Sequence, residues 1–337
     1  MPKPRIGLVL GDPCGIGPEI VAKLLARPEV AARADLLVFG DRAVFAAGQK
    51  TAALSLEVPE VEPEVAARHA GGIALHHIPF AAGDACPPGA VCAQAGAHAL
   101  ELLRMAADAA SRRDLDAVVF APLSKQAMME GGLEQEDELS FLADYLACRG
   151  HVCELATVDG LWSSRVTSHV PLSQVAASIT AKGIRDAVTI LHETLQASGI
   201  DAPRIAVSAL NPHAGEGGRF GREEIEVIGP AVGAAQARGI DAVGPFAADT
   251  VFVRARWDGF HGVVSMFHDQ CQIAMKLLGF DRGVTVLAGL PFPVTTPAHG
   301  TAFDIVGRGN ANPEPISHAF DVALDLIGDR GLIGDRG

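Results

Sequence analysis

A chain of 337 residues, 49% of them apolar, exceeds one ordinary domain and can bury a large core. Its formal net charge of −13 repels nucleic acid and anionic membranes, and its 5% aromatic content offers few surfaces for base stacking. Because it has no secretory leader and no apolar run of about 20 residues, and its six cysteines are scattered as reduced thiols would be, we expect a cytoplasmic protein that binds neither nucleic acid nor membrane.

The N-terminal part alternates strand and helix patterns around a glycine-rich turn. Residues 5–12 form a predicted buried strand, and Pro18 and Glu19 favour a helix directly after the turn GDPCGIG. Asp12 in this turn would repel a pyrophosphate, so the turn does not indicate an ordinary dinucleotide-binding fingerprint. The pattern then predicts a strand at 35–41, loops and short edge elements over 49–92, a helix at 93–110 and a strand at 116–125.

The C-terminal part continues the same alternation. The predicted elements are a helix at 139–148, strands at 153–158 and 164–168, a helix at 181–198, strand-then-turn units at 204–215 and 262–270, and amphipathic helices at 222–239 and 315–328. Strands that alternate with helices throughout a chain predict an α/β fold, in which helices cover both faces of a mostly parallel sheet.

Three histidines follow short apolar, β-branched runs, so we expect each imidazole at the carboxyl end of a strand. They are His169 in VTSHVPL, His213 in ALNPHAGEGGRFG and His268 in VVSMFHDQC. The carboxyl ends of strands are where α/β sheets bind ligands. Three neutral imidazoles suit Zn²⁺, Co²⁺ or Ni²⁺ and leave coordination positions open for a substrate. Taken singly, each could also be an ordinary hydrogen-bonded turn histidine.

Six sequence blocks carry a family resemblance. They are GDPCGIGPEI (11–20), LNPHAGEGG (210–218), GPFAADTVF (244–252), MFHDQ (266–270), GFDRGV (279–284) and HGTAFDIVGRGNANP (299–313). In this order the blocks resemble the PdxA family, named for the 4-hydroxythreonine-4-phosphate dehydrogenase of pyridoxine (vitamin B6) biosynthesis, over nearly the whole chain. The first and last blocks are also similar to parts of isopropylmalate and isocitrate dehydrogenases.

The resemblance implies an isopropylmalate dehydrogenase-like fold with two α/β/α lobes around mostly parallel sheets and an active-site cleft. Residues 1–125 and 285–337 would form a discontinuous lobe on the cofactor side, and 126–284 a central lobe for metal, substrate and dimerisation. It further implies a homodimer with a shared active site, which oxidises a hydroxy acid with NAD or NADP and then releases CO₂. One divalent ion (Zn, Co, Ni, Mg or Mn) held by His169, His213 and His268 would assist both steps.

The resemblance also implies roles for other side chains. Asp249 and Asp269 would stand beside the metal, where Asp269 orients an imidazole through its second ring nitrogen; an N-cap is the alternative for Asp269. Lys276 would contact the substrate, and Lys125, at a strand end, is a candidate for proton transfer. Three residues of the last block are the candidates for adenosine contacts: His299, Asp304 and Asn312.

The substrate contacts of the B6 enzyme are largely changed in this chain. Where that enzyme has a His, a Thr, an Asn and an Arg, this sequence has Glu138, Leu139, Thr285 and Val294, so that only Lys276 is retained. Glu138 would repel a dianionic phosphate. The substrate is then 4-hydroxythreonine 4-phosphate, a related threonate or erythronate 4-phosphate held by other residues, or an unphosphorylated diol acid, as in the terephthalate-type cis-dihydrodiol dehydrogenases. A remote alternative is a non-catalytic relative that binds a metabolite.

Overall fold

The computed structural model describes residues 3–61, 72–81 and 85–328, which divide into two compact units. The first unit combines Met1–Gly150 with Leu290–Ile327, and the second is built from His151–Gly289. Residues 126–150, which the sequence placed in the central lobe, therefore belong to the first unit. The cofactor, substrate and dimerisation roles assigned to the two lobes stay predictions.

The first unit contains a run of parallel strands in the order β3-β2-β1-β4-β11. The apolar run predicted at its N-terminus forms the central strand, where Ile6 and Leu8 are fully buried. From β1 the chain proceeds outward to β2 and β3, and it then crosses back to β4 on the other side of β1. The strand bounds are β1 Arg5–Val9, β2 Asp35–Gly40, β3 Ile73–His77, β4 Ala117–Phe120 and β11 Val294–Pro297.

Helices of the first unit flank these strands. Asp41 and Ser124 cap two of them by accepting hydrogen bonds from the backbone N–H groups of Val44 and Ala127. The helices are α1 Gly17–Leu25, α2 Pro28–Arg33, α3 Arg42–Thr51, α4 Ala93–Ser111, α5 Lys125–Glu130, α6 Glu138–Tyr145 and, near the C-terminus, α12 Glu314–Ile327. The predicted helices at 93–110, 139–148 and 315–328 are thereby confirmed.

The second unit has strands in the order β10-β5-β6-β9-β7-β8. β5 pairs antiparallel with both β10 and β6, whereas β6, β9, β7 and β8 run parallel. The strand bounds are β5 Cys153–Val158, β6 Leu161–Arg165, β7 Arg204–Ser208, β8 Asp241–Phe246, β9 Gly262–Ser265 and β10 Val284–Ala288. The helices are α7 Leu172–Ser178, α8 Ala181–Ala197, α9 Gly229–Gln236, α10 Val251–Trp257 and α11 His268–Gly279. The chain is thus a mixed α/β protein with mostly parallel strands, as predicted.

Two local predictions need correction, and the short edge element predicted within 49–92 is confirmed. The strand predicted at 164–168 is β6, Leu161–Arg165, because the hairpin with β5 turns at Asp159 and Gly160, two residues that adopt positive φ. The helix predicted at 222–239 is divided into a π-helical turn, Glu224–Ile228, and the shorter α9. The region 49–92 contains the end of α3 and the edge strand β3; its residues 62–71 and 82–84 lie outside the described residues.

The cysteines only partly match the prediction of reduced thiols. Cys86 and Cys92 form a disulfide with their Cα atoms 5.5 Å apart, so the prediction is wrong for this pair. The two cysteines are six residues apart in the sequence, and this spacing alone did not indicate that the segment between them folds back on itself. Cys14, Cys148, Cys153 and Cys271 are free thiols.

Alkylation of the native protein should start at Cys148. Burial, reinforced by the nearby Asp12, raises the pKa of Cys14 to about 11, and burial raises the pKa of Cys153 to about 12. Because the thiolate is the reacting species, we expect Cys14 to react with iodoacetamide at pH 8 on the order of 100-fold more slowly than an unperturbed thiol. Peptide mass spectrometry after timed labelling measures each rate, and rapid labelling of Cys14 in folded protein would contradict its burial.

Across the described ranges, none of the helices has the length and apolar character needed to cross a bilayer.

Candidate functional site

Four predicted site residues follow the four parallel strands of the second unit. His169 comes after β6, His268 three residues after the end of β9, His213 after β7 and Asp249 after β8. Since β6, β9, β7 and β8 are neighbours in that order and run parallel, their carboxyl ends meet at one edge of the sheet. The sequence predicted each strand end; the structure shows that these ends are adjacent.

Two of the three histidines lie close together. The ring centroids of His169 and His268 are 6.0 Å apart, and the rings are inclined at 45°. Two imidazoles bound to one ion, with metal–nitrogen distances of about 2.0–2.1 Å, place their ring centroids roughly 5–6 Å apart. The two rings therefore lie near the spacing of imidazoles that share one divalent ion.

Asp269 orients one ring of this pair, that of His268. Its Oδ1 lies 2.7 Å from Nδ1 of His268, which leaves Nε2 of that ring for another ligand. Such a bond fixes the tautomer and orientation of metal-binding imidazoles. The alternative N-cap interpretation is wrong, because α11 begins at His268 with Phe267 at the N-cap. Asp269 lies inside the first turn, where its negative charge interacts favourably with the helix dipole.

His213 lies on a turn with an unusual backbone. Residues from His213 to Gly217 all have positive φ, between 44° and 79°, which makes Pro212–Gly218 a left-handed turn. His213, Ala214 and Glu216 adopt this conformation although they are not glycines. No group of three or more His, Cys, Asp or Glu side chains in the described part of one chain is arranged to hold a metal ion. The sharing of ligands between two chains stays a prediction.

Side chains of the second unit tie the three histidine loops together. Thr167, two residues before His169, donates from Oγ1 to the carbonyl oxygen of Met266 at 2.9 Å. Gln270 accepts from the Met266 N–H at 2.8 Å and donates from Nε2 to the Ala209 carbonyl at 3.0 Å. The loops after β6, β9 and β7 are therefore fixed relative to each other.

Sequence reasoning missed Glu224, which lies beneath the His213 loop. This carboxylate is only 5% exposed and accepts three hydrogen bonds, from the Leu210 N–H at 2.9 Å, the Asn211 N–H at 2.7 Å and the Asn211 side-chain amide at 3.0 Å. In the sequence, Glu224 looked like one of several acids at the start of a predicted amphipathic helix. The one sign in the sequence that Glu224 is buried was its position on the face of the predicted helix that points towards the core.

The predicted substrate residues of the second unit lie further from the histidine pair. Lys276 is exposed on α11, eight residues beyond His268, or about 12 Å along the helix axis. Thr285 is half-buried on β10 and aligns through Ala156 with Ser163, in the middle of β6. Neither residue is brought next to the imidazoles within this unit.

The predicted substrate residues of the first unit are mostly structural in this chain. Val294 is fully buried on β11 beside Val118, and Leu139 is 5% exposed on α6. Apolar packing therefore occupies two positions where the resemblance implies a substrate contact. Glu138 is half-buried at the start of α6, and Lys125 is exposed at the start of α5, after β4.

The predicted adenosine residues lie on a loop fastened to α1. Lys23 donates from Nζ to Glu19 Oε1 at 2.7 Å and to the carbonyl oxygens of Gly309 and Ala311 at 3.0 and 2.7 Å. The glycine-rich turn joins the same loop, because the Ile16 N–H donates to the Thr301 carbonyl at 3.1 Å. The candidates themselves occupy accessible positions on this loop, with His299 half-buried and both Asp304 and Asn312 exposed.

Asp12 is the one buried acid of the glycine-rich turn after β1. It is 1% exposed; Oδ1 accepts the Cys14 N–H at 2.8 Å, and Oδ2 has no hydrogen-bond partner among the described residues. Burial raises the pKa of this carboxyl to about 6, and the bond from Cys14 opposes that shift. Asp12 lies where connections leave β1 and β4 in opposite directions, the part of a parallel sheet that commonly binds ligands.

A mostly parallel α/β fold with imidazoles and carboxylates at the carboxyl ends of adjacent strands defines a ligand-binding α/β protein. The family model described as "Pyridoxal phosphate biosynthetic protein PdxA" matches residues 32–323. The chain belongs to the PdxA family, as its ordered sequence blocks predicted.

Relatives with three different named activities are similar to this chain. D-threonate 4-phosphate dehydrogenase of Salmonella typhimurium is 38% identical over 324 residues, which are 95% of this chain and 98% of the relative. The crystal structure of 4-hydroxythreonine-4-phosphate dehydrogenase from Klebsiella pneumoniae has a TM-score of 0.83 and 32% identity over 96% of this chain and 100% of its own. A terephthalate 1,2-cis-dihydrodiol dehydrogenase from Burkholderia xenovorans has a TM-score of 0.67 and 28% identity over 97% and 98% of the two chains.

Proposed function

We propose that this protein is a dehydrogenase that oxidises a hydroxyl group of a small hydroxy acid, with NAD(P) and a divalent metal ion, and releases CO₂ from the product. The observation that carries the proposal is the meeting of His169, His268, His213 and Asp249 at the carboxyl ends of adjacent parallel strands. Membership of a family whose named relatives are dehydrogenases supports the same reaction class.

His169 and His268 would hold the ion from one chain, and His213 would supply a third imidazole. When bound, a divalent ion polarises the substrate hydroxyl for hydride transfer to the nicotinamide and stabilises the negative charge that develops as CO₂ leaves. Asp269 would keep Nε2 of His268 directed at the ion through the 2.7 Å bond to Nδ1. The exposed ammonium groups of Lys276 and Lys125 would bind the substrate's anionic group and transfer a proton, respectively.

A homodimer would complete this site. An apolar groove between α10 and α11 exposes Trp257 by 83%, Leu277 by 83% and Ile273 by 61%, and its lining also includes Asp249 and Asp269. Contiguous exposed apolar surface of this kind marks interaction sites on proteins. A second copy of the chain that covered the groove would reach the metal-binding edge directly, as a shared active site requires.

The proposed substrate is a four-carbon hydroxy acid carrying a terminal phosphate, such as D-threonate 4-phosphate or 4-hydroxythreonine 4-phosphate. The full-length similarity to enzymes named for these substrates supports it. An unphosphorylated cis-dihydrodiol acid is the second candidate. It is favoured by Glu138, Leu139 and Val294, which offer no positive charge to a phosphate, and by the similarity to the terephthalate cis-dihydrodiol dehydrogenase.

A substrate panel with and without chelator tests the proposal. We expect NAD or NADP to be reduced with one phosphorylated four-carbon acid or one cis-dihydrodiol acid, with one CO₂ released per reduced nucleotide. Because the metal assists both steps, EDTA should remove the activity and Zn²⁺, Co²⁺, Ni²⁺ or Mn²⁺ should restore it. Nucleotide absorbance and CO₂ release are the measurements.

Two results would count against this function. Activity that is indifferent to chelator would exclude the metal-dependent reaction. A folded protein that neither binds NAD(P) in a calorimetric titration nor takes up a metal would match the non-catalytic metabolite-binding alternative. A titration with both nucleotides, before and after metal addition, separates these outcomes.

A further inference from the structure

We propose that Glu224 is a positioning residue that prepares His213 for metal binding by holding its turn in the left-handed conformation. The inference rests on the proposed function for the role of His213. It adds a residue that contacts neither the ion nor the substrate.

The turn that carries His213 needs external support. His213 and Ala214 both have φ of 54°, and Glu216 has φ of 44°. Left-handed helical backbone is unfavourable for L-residues other than glycine, because Cβ comes too close to the following carbonyl oxygen. Backbone of this kind persists only where surrounding contacts over-determine it, and it concentrates at functional sites.

Glu224 supplies those contacts from within the second unit. Its Oε1 accepts the N–H groups of Leu210 and Asn211, the two residues that precede the turn, at 2.9 and 2.7 Å. Its Oε2 accepts the Asn211 side-chain amide at 3.0 Å. A carboxylate that is 5% exposed thus directs its hydrogen bonds to the loop that carries His213.

The same carboxylate also lies close to the turn at Gly215, after the histidine. A Cβ atom added to Gly215 would lie 2.7 Å from Glu224 Oε2, closer than such atoms approach each other. Glu224 begins the π-helical turn Glu224–Ile228, a rare backbone form that is frequent at functional sites. Two unusual backbone segments therefore meet at one buried side chain, which contacts the His213 loop before and after the histidine.

Glu224→Gln tests this role because it keeps the size of the side chain and one acceptor oxygen, but removes the charge and the second acceptor. The expected result is a 10–100-fold weaker affinity for Co²⁺, the range found when partners of metal ligands are replaced. The affinity is measured by the cobalt d–d absorption of the metal-depleted full-length protein. Glu226→Gln is the matched control, since Glu226 lies two residues away, is exposed and pairs with Arg222 on the surface; its cobalt affinity should equal that of the wild type.

A second variant guards against misfolding of the first. Gly215→Ala disturbs the same turn from the loop side, both by bringing a Cβ atom close to Glu224 Oε2 and by straining the positive φ of Gly215, and should weaken cobalt binding in the same range, with the melting temperature of each variant recorded. Normal cobalt affinity in both variants, alongside loss of binding in His213→Ala, overturns the role of Glu224 and leaves the proposed function standing. Absence of cobalt binding by the wild type overturns both.

Discussion

His268→Ala is expected to lower metal affinity and metal-dependent dehydrogenase activity by more than 100-fold. Replacement of residues that only orient a metal ligand costs about 10–100-fold, so loss of a ligand itself should exceed that range. The ring it removes lies 6.0 Å from His169 and is the one that Asp269 orients. Cobalt titration of the metal-depleted protein and the initial rate of nucleotide reduction measure the two losses.

Two further variants provide an intermediate effect and a control for this result. Asp269→Asn should retain the metal site with an affinity about 10–100-fold weaker, since the amide still reaches Nδ1 of His268 but no longer carries a charge. His318→Gln, on α12 of the first unit, should leave both measurements unchanged. Equal effects of His268→Ala and His318→Gln would show that His268 is not a ligand.

The sequence was sufficient to place the candidate histidines but not to show their convergence. Apolar β-branched runs before His169, His213 and His268 predicted strand ends, and the structure confirms this for β6, β7 and β9. The adjacency of those strands depends on the order β6-β9-β7, in which β9 inserts between strands that precede it in the chain. Local hydrophobic periodicity carries no information about such an order, because pairing partners are chosen by tertiary packing.

Residues that act on the backbone of other residues were also outside the reach of the sequence. Glu224 resembled a helix-surface acid, because hydrogen bonds to the backbone of Leu210 and Asn211 leave no motif. The left-handed conformation of Gly215 and Gly217 was foreseeable from glycine, but that of His213 and Ala214 was not. In the same way, Val294 and Leu139 fitted a list of substrate positions until their burial showed that they pack in the core of the first unit.

The burial of the Asp12 carboxylate leads to a prediction about the stability of the protein rather than its activity. The pKa of this carboxyl is raised from 3.8 to about 6 because the side chain is buried. Between these values the folded chain keeps a proton that the unfolded chain releases, so protonation favours folding at low pH. This contribution is lost as the pH rises through about 6, and above that pH the buried carboxylate destabilises the fold.

The gain in stability on Asp12→Asn is therefore expected to be roughly 2–3 kcal/mol larger at pH 8 than at pH 4, because the pKa of Asp12 differs by about two between the folded and unfolded chain, at 1.36 kcal/mol per pKa unit. Asparagine can still accept the Cys14 N–H through Oδ1 but does not ionise. In a unit of this size, the change in melting temperature on substitution should be roughly 4–12 °C more favourable at pH 8 than at pH 4. Melting curves across that pH range, with the exposed Asp201→Asn as control, measure the difference. A gain that does not depend on pH, or one that is smaller at pH 8 than at pH 4, would contradict a raised pKa of Asp12 in the folded chain.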